Sequence, residues 1–189
     1  MFNRIAAAIV FLLMKVYCRM EIRGRHHIPK NRPFILASNH LSNLDPAVLA
    51  AACPRRLNFL AKEELFRNPF FARLIYSLGA FPLKRSKVDI SALKTALKRL
   101  KKEVVLLFPE GTRDPKAKKP QAGVGFLVNK SGLAVVPARL YDTDKVLGPG
   151  EKFLKPHKIK VVFGKPLRFD KKKKPLEVAQ EIIKAINTL

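Results

Sequence analysis

Residues Glu103 to Arg113 read EVVLLFPEGTR, and this segment is the clearest indication of the fold class. Residues 104–108 are all apolar, which is typical of a strand buried on both faces, and Pro109 ends the run. Similar short segments, composed mostly of apolar residues, stand at 33–38 and 133–140, and segments with helical spacing lie between them. This alternation predicts an α/β fold with a mixed, largely parallel sheet that helices cover on both faces.

The predicted helices are marked by their first residues and by their apolar spacing. Asp45 before Pro46 is a helix-start pattern with Asp45 as the N-cap, and it predicts a helix over 46–53. Asp89 is expected to cap a further helix. The buried face of that helix is predicted to consist of apolar residues at helical spacing: Ile90, Leu93, Leu97 and Leu100.

Charge is the unusual feature of the composition. The 189 residues include 38 Lys and Arg against 14 Asp and Glu, a net charge of +24, while 48% hydrophobic residues indicate a globular chain. Such a surface attracts polyanions: nucleic acid, anionic lipid headgroups or an acidic carrier protein. Two cysteines without metal or redox spacing fit a reducing compartment.

The amino-terminal segment is apolar and bracketed by cations. Residues 5–14 are uninterrupted apolar residues between Arg4 and Lys15, too few for the roughly 20 residues that a membrane-spanning helix needs. The helical spacing and the flanking positive charge favour a helix that lies in the membrane interface. The alternative interpretation is a buried core helix.

The stretch 38–46, SNHLSNLDP, places His40 five residues before Asp45. A neutral His can take a proton near pH 7 if a partner holds its other ring nitrogen, and a carboxylate is suited to that role. A turn in which Asp45 only caps the next helix is the plainer interpretation, and the two are compatible. Ser38 and Ser42 are interpreted as structural rather than nucleophilic, and Asn39 as support for the loop or for an oxyanion.

Four blocks occur in a fixed order along the chain: N-H-x4-D at 39–45, G-x5-R at 79–85, FPEGTR at 108–113 and a loose V-x-P block at 135–137. With these blocks the sequence resembles the glycerolipid acyltransferase family, specifically its 1-acyl-sn-glycerol-3-phosphate acyltransferases, over about residues 1–165. FPEGTR behind NHxxxxD carries most of the resemblance, because G-x5-R alone has almost no specificity.

The resemblance implies a membrane-associated enzyme of phospholipid biosynthesis. It would move a fatty acyl group from acyl-CoA or acyl carrier protein to the sn-2 hydroxyl of lysophosphatidate, giving phosphatidate, with His40 as general base and Asp45 orienting it. We expect no metal and no cofactor besides this acyl co-substrate. The expected organisation is a membrane-associating helix at 1–25 and an acyltransferase domain at 26–189, on the cytoplasmic face of a membrane as a monotopic or peripheral protein.

A phosphate-bearing acceptor needs cations, and the guanidinium fork of Arg suits phosphate best. The residues expected to bind the phosphate and glycerol are Lys62, Arg85, Glu110, Gly111, Thr112 and Arg113. Two alternatives stay open: another acceptor, such as glycerol-3-phosphate or a different lysophospholipid, and a non-catalytic module that binds nucleic acid or anionic membrane. The second gives no reason for the motifs, so no nucleic-acid partner is expected.

Overall fold

The computed structural model describes residues 11–12, 14–83, 90–113, 119–151 and 153–189. Within these residues, seven strands form one sheet. In chain order they are β1 (Glu21–Arg23), β2 (Ile35–Ser38), β3 (Leu57–Lys62), β4 (Ala80–Leu83), β5 (Val104–Leu107), β6 (Val135–Tyr141) and β7 (Lys160–Phe163). Their spatial order is β1-β7-β6-β2-β5-β3-β4, so β2 is the central strand.

The sheet is mixed and largely parallel, as the sequence predicts. Strands β6, β2, β5, β3 and β4 are mutually parallel, and only β7 runs antiparallel to its neighbour β6. β1 then pairs in parallel with β7. All four residues of β2 and of β5 are buried, which explains why these strands read as continuous apolar runs.

Helices cover both faces of this sheet. In chain order they are α1 (Asp45–Ala52), α2 (Pro69–Ser77), α3 (Ile90–Leu100), α4 (Ala122–Ser131), the short α5 (Thr143–Val146) and α6 (Pro175–Asn187), with 3-10 turns at Arg25–His27 and Glu63–Phe66. One core contains buried side chains of α1, α2 and α5, such as Leu49, Ile75 and Val146. A second core on the other face contains those of α3, α4 and α6, such as Ala96, Leu127 and Ile182.

Two local predictions are wrong. Asp45 is the first residue of α1 rather than its N-cap; the cap position belongs to Leu44, and no side chain caps the helix. On α3 the buried residues are Ala92, Ala96 and Leu100, whereas Ile90 is 63% exposed. Leu93 and Leu97 are half-buried and pack against the second core, so the predicted face is wrong only at Ile90, and it also includes the alanines, whose small side chains let the helix approach the sheet closely. Asp89, the expected cap of this helix, lies outside the described residues.

The amino-terminal segment is described only from Phe11 onward. Residues 11–12 and 14–17 are helical, with Met14 and Cys18 buried in the first core. Val16, by contrast, is 70% exposed. Of the helix expected at 1–25, residues 1–10 and 13 lie outside the described residues, and the helix does not reach residue 25, because Glu21–Arg23 form β1 and Arg25–His27 form a 3-10 turn. Within the described part of the chain, no helix combines the length and the apolar character needed to cross a bilayer.

The carboxyl ends of β2, β3, β4, β5 and β6 lie along one edge of the sheet, which we call the carboxyl edge. From β2 the chain enters α1 on one face, and from the adjacent β5 it proceeds to α4 on the other face. Such a divergence between neighbouring parallel strands opens a crevice at their carboxyl ends, where ligands of α/β folds bind. The loops that follow β2, β5 and β6 are therefore expected to form the functional site.

Candidate active site

His40 and Asp45 meet at the carboxyl end of the central strand. The Nδ1 atom of His40 lies 2.7 Å from Oδ2 of Asp45. Asp45 is fully buried, whereas 18% of the His40 side chain is exposed. A carboxylate only accepts hydrogen bonds, so this contact assigns the proton to Nδ1 and leaves the Nε2 lone pair free to take a proton from a substrate.

The loop after β2 folds back onto Asp45, and the carboxylate fixes it there. Oδ2 of Asp45 also accepts the backbone N–H of Leu41 at 2.6 Å and that of Ser42 at 2.8 Å. Oδ1 accepts the hydroxyl of Thr143 at 2.6 Å. The carboxylate thus bonds the residues before it rather than the start of α1, which is why its position in the helix differs from the expected cap.

Phe108 stacks on the imidazole of His40. The two ring centroids are 4.0 Å apart and the ring planes differ by 16°. Phe108 directly follows β5, the neighbour of β2, so the two rings meet because their strands pair in parallel. This contact covers one face of the imidazole and restricts its rotation, and a stacked ring also favours a cation when the imidazole is protonated. The sequence placed Phe108 in a motif but gave it no role.

Strand β6, the other neighbour of β2, holds the opposite side of the loop. The Asn39 amide donates to the carbonyl of Leu140 at 2.9 Å, and its Oδ1 accepts the Leu140 N–H at 2.7 Å. The side chain of Asn39 therefore fastens the loop to β6. This geometry favours the loop-support interpretation of Asn39 over the oxyanion interpretation.

The two serines of the loop are buried and engaged in structural contacts. Ser42 is 1% exposed; its hydroxyl donates to the carbonyl of Leu147 at 2.7 Å and accepts the N–H of Leu44 at 3.2 Å. Ser38 is fully buried at the end of β2, and its nearest hydrogen-bond partner is Oδ1 of Asn39 at 3.4 Å. A nucleophile needs access to substrate, and these buried hydroxyls do not have it.

The FPEGTR turn lies directly beside this pair. Gly111 has φ +67°, and a Cβ there would come within 2.9 Å of the Gln121 side chain, so the turn requires glycine. Two backbone bonds close the turn, Gly111 N–H to Phe108 and Gln121 N–H to Pro109. Glu110, Thr112 and Arg113 are half-buried here. The roles predicted for these residues in binding substrate stay predictions.

Lys62 and Arg85 were the other cations expected at the phosphate. Lys62 is the last residue of β3, which places its backbone on the carboxyl edge. Arg85 lies outside the described residues. Gly79, which opens the same G-x5-R block, has φ +98°, and a Cβ there would lie 1.8 Å from the Leu57 carbonyl oxygen. The glycine of this block is thus fixed by backbone packing between β3 and the start of β4.

The cysteines offer no alternative nucleophile. Cys18 and Cys53 are free and buried. Burial raises the pKa of the Cys53 thiol to about 11, and it also raises the pKa of Cys18, so both stay protonated at neutral pH. Among the described residues, no group of three or more His, Cys, Asp and Glu side chains is arranged to hold a metal ion.

A buried Asp, a partly exposed His and the FPEGTR turn therefore meet at the carboxyl edge of an α/β sheet, an arrangement suited to general-base chemistry. The sequence model of the Acyltransferase family matches residues 19–141, well over half of the chain. The chain belongs to the acyltransferase family, and its four motif blocks fall inside this match.

Several curated relatives share one name, 1-acyl-sn-glycerol-3-phosphate acyltransferase. The protein of Bacillus subtilis is 27% identical over 150 residues, which cover 78% of this chain and 73% of that protein. The chloroplastic protein of Arabidopsis thaliana is 30% identical over 162 residues, 82% of this chain but only 45% of its own length. The chain therefore spans most of the bacterial relative and less than half of the plant one.

A solved structure shares the fold. The crystal structure of the 1-acyl-sn-glycerophosphate acyltransferase PlsC from Thermotoga maritima matches with a TM-score of 0.77, covering 98% of this chain and 79% of that one. The two sequences are 23% identical. This likeness supports the α/β architecture described above.

Proposed function

We propose that the protein transfers a fatty acyl group from acyl-CoA or acyl carrier protein to the sn-2 hydroxyl of lysophosphatidate, giving phosphatidate. The observation that carries this proposal is the 2.7 Å contact between His40 Nδ1 and the buried carboxylate of Asp45, with the FPEGTR turn beside it. The family match and the shared name of the relatives supply the reaction class.

The proposed chemistry is direct attack without an acyl-enzyme. Nε2 of His40 takes the proton of the acceptor hydroxyl while its oxygen attacks the thioester carbonyl carbon. Asp45 holds Nδ1–H and stabilises the imidazolium that forms. The tetrahedral intermediate then collapses, the C–S bond breaks, and the leaving thiolate receives the proton from His40. Atoms and charges balance with His40 returned to its starting state.

The proposed phosphate site lies between the turn after β5 and the end of β3. Arg113, with Lys62 and Arg85, would face the phosphate, while Glu110, Gly111 and Thr112 would shape the pocket for phosphate and glycerol. Arg binds phosphate through two parallel N–H···O bonds. Removing Arg113 should therefore weaken the binding of the acceptor more than it slows the reaction of the bound acceptor.

For Arg113→Ala we expect the KM for lysophosphatidate to rise about tenfold to hundredfold, the loss expected for a charge-assisted bidentate contact, with a smaller change in kcat. Arg113→Lys should recover part of the loss, because it keeps the charge but not the fork. Steady-state assays with purified enzyme would measure both constants. Arg168→Ala, which removes an exposed Arg near α6, is the matched control.

The same assay tests the acceptor assignment. Wild-type enzyme is offered lysophosphatidate, glycerol-3-phosphate and an uncharged monoacylglycerol, each with acyl-CoA and with acyl carrier protein. Transfer to glycerol-3-phosphate but not to lysophosphatidate would overturn the proposed acceptor. An unchanged KM in Arg113→Ala would remove this residue from the phosphate site.

We further propose that the protein sits on the cytoplasmic face of a membrane as a monotopic or peripheral protein. Large apolar residues are exposed along the carboxyl edge: Leu12, Val16, Tyr17, Leu65, Phe70, Phe153 and Leu154. β7 runs antiparallel to β6 and begins opposite Tyr141, the last residue of β6, and β1 begins beside the start of β7. The exposed apolar residues that precede β1 and β7 in the chain therefore lie at the carboxyl edge. Exposed cations lie among them, including Lys15, Arg67 and Lys155. Apolar groups interspersed with positive charge fit an anionic bilayer surface.

For Phe70→Glu with Phe153→Glu we expect binding to anionic lipid vesicles to fall about tenfold, because these side chains are 88% and 83% exposed and would insert into the interface. Vesicle co-sedimentation measures the bound fraction. The control is Leu176→Glu, which alters an exposed apolar residue of α6, a helix of the second core. Equal losses in the control and the double variant would contradict a membrane contact at the carboxyl edge.

A further inference from the structure

The hydroxyl of Thr143 reaches the catalytic carboxylate from the far side of the loop. It donates to Oδ1 of Asp45 at 2.6 Å, across 98 residues of sequence, and Thr143 is only 1% exposed. Thr143 is the first residue of α5, just beyond the carboxyl end of β6. It belongs to none of the four motif blocks, and the reaction proposed above gives it no part.

The two carboxylate oxygens of Asp45 accept different sets of hydrogen bonds. Oδ2 accepts three N–H groups, including that of His40, whereas Thr143 is the partner that fixes Oδ1. Rotation about the bond to a carboxylate group is soft, so three donors on one oxygen leave the plane of the group weakly defined. A hydroxyl on the second oxygen sets that plane and therefore the direction in which Oδ2 faces the imidazole.

The residue before Thr143 adopts an unfavourable backbone conformation, and this places Thr143 beside Asp45. Asp142 has φ +61°, in the left-handed region that non-glycine residues rarely adopt, and it turns the chain from β6 into α5. The same segment is bound to the loop before it by the Asn39 amide at Leu140 and after it by the Ser42 hydroxyl at Leu147. Thr143 thus sits in the middle of a segment held at both ends.

We propose that Thr143 is a positioning residue of the acyl transfer: its hydroxyl fixes the carboxylate plane of Asp45, and through it the tautomer and orientation of His40. This inference rests on the proposed function, since it assumes that His40 is the base. Thr143 touches neither substrate in this scheme. Its removal should therefore slow the chemical step and leave substrate binding unchanged.

The test compares Thr143→Val, which keeps the shape and loses the hydroxyl, with Thr143→Ser, which keeps the hydroxyl. We expect Val to lower kcat about tenfold to hundredfold, as for a lost hydrogen bond to a charged group, while both KM values stay within about twofold. Ser should restore kcat to within about threefold of wild type. Ser77→Ala removes a buried hydroxyl from α2 and should leave kcat unchanged.

A double-mutant cycle shows whether Thr143 affects kcat through its bond to Asp45 or only through its packing. In an Asp45→Asn background the further loss caused by Thr143→Val should shrink to less than about threefold. A full further loss there, equal losses in Val and Ser, or wild-type kcat in Val would each overturn the proposal. If the Val variant does not fold, Thr143→Ala against Thr143→Ser makes the same comparison.

The two proposals fail in different ways. If wild-type protein transfers no acyl group to any acceptor, the proposed function fails. If wild-type transfer is abolished by His40→Ala and yet persists at full kcat in Thr143→Val, the inference about Thr143 alone fails.

Discussion

His40→Ala is expected to lower kcat by about 10³-fold or more, because the variant has no group at this position to take the hydroxyl proton. The KM values should change little, since the imidazole contacts the acceptor at a single hydroxyl. The fold should persist, because His40 is partly exposed and α1 does not depend on its ring. Steady-state kinetics of purified protein in detergent measures the loss, and thermal unfolding reports on the fold.

The matched control is His157→Ala. His157 is also near a carboxylate, with its Nε2 4.0 Å from Oδ2 of Asp142, but it lies in the loop before β7 and outside the four motif blocks. Its removal should leave kcat within about twofold of wild type. Vesicle binding should be unaffected in both variants. Near-wild-type turnover of His40→Ala would exclude the proposed base and, with it, the proposed mechanism.

Sequence patterns predicted the sheet better than the surfaces of the helices. The apolar runs of β2 and β5 are buried on both faces, so composition alone marks them, and their alternation with helices predicted a largely parallel sheet. On α3, by contrast, the spacing identified Leu93, Leu97 and Leu100 but wrongly included Ile90 and missed Ala92 and Ala96. Alanine has little hydrophobic weight in such patterns, yet Ala92 and Ala96 permit the close contact that the sheet requires.

The sequence predicted those contacts of the site that join residues close together in the chain. Asp45 lies five residues after His40, so a loop that folds back suffices to bring them together, and the structure shows this contact. The contacts of Phe108 and Thr143 depend on which strands become neighbours of β2. A strand order is set by long-range packing, and no pattern within 189 residues of a single sequence encodes the pairing of β2 with both β5 and β6 directly.

Asp45→Asn should lower kcat by on the order of 10³-fold while the protein stays folded. Asn can still accept the N–H groups of Leu41 and Ser42 through its carbonyl oxygen, so the loop keeps its anchor. What disappears is the negative charge that stabilises the imidazolium, together with the acceptor that Oδ1 offers to the Thr143 hydroxyl. Comparison with Asp45→Ala separates the role of the carboxylate in catalysis from its role in holding the loop, because the Ala variant loses the loop bonds as well. Each buried N–H that is left unpaired should lower the free energy of unfolding by about 1–3 kcal/mol.

Asp170→Asn controls for the loss of a loop carboxylate that accepts a backbone N–H. Oδ1 of Asp170 accepts the N–H of Lys172 at 2.9 Å, in an exposed loop before α6. That variant should keep wild-type kcat. If Asp45→Asn instead kept kcat within about tenfold of wild type and lost only stability, Asp45 would be a loop anchor rather than the partner of a base. A preserved fold with collapsed turnover would show that the loop bonds to Oδ2 are not sufficient for turnover, which then needs the charge of Asp45 and the Thr143 bond to Oδ1.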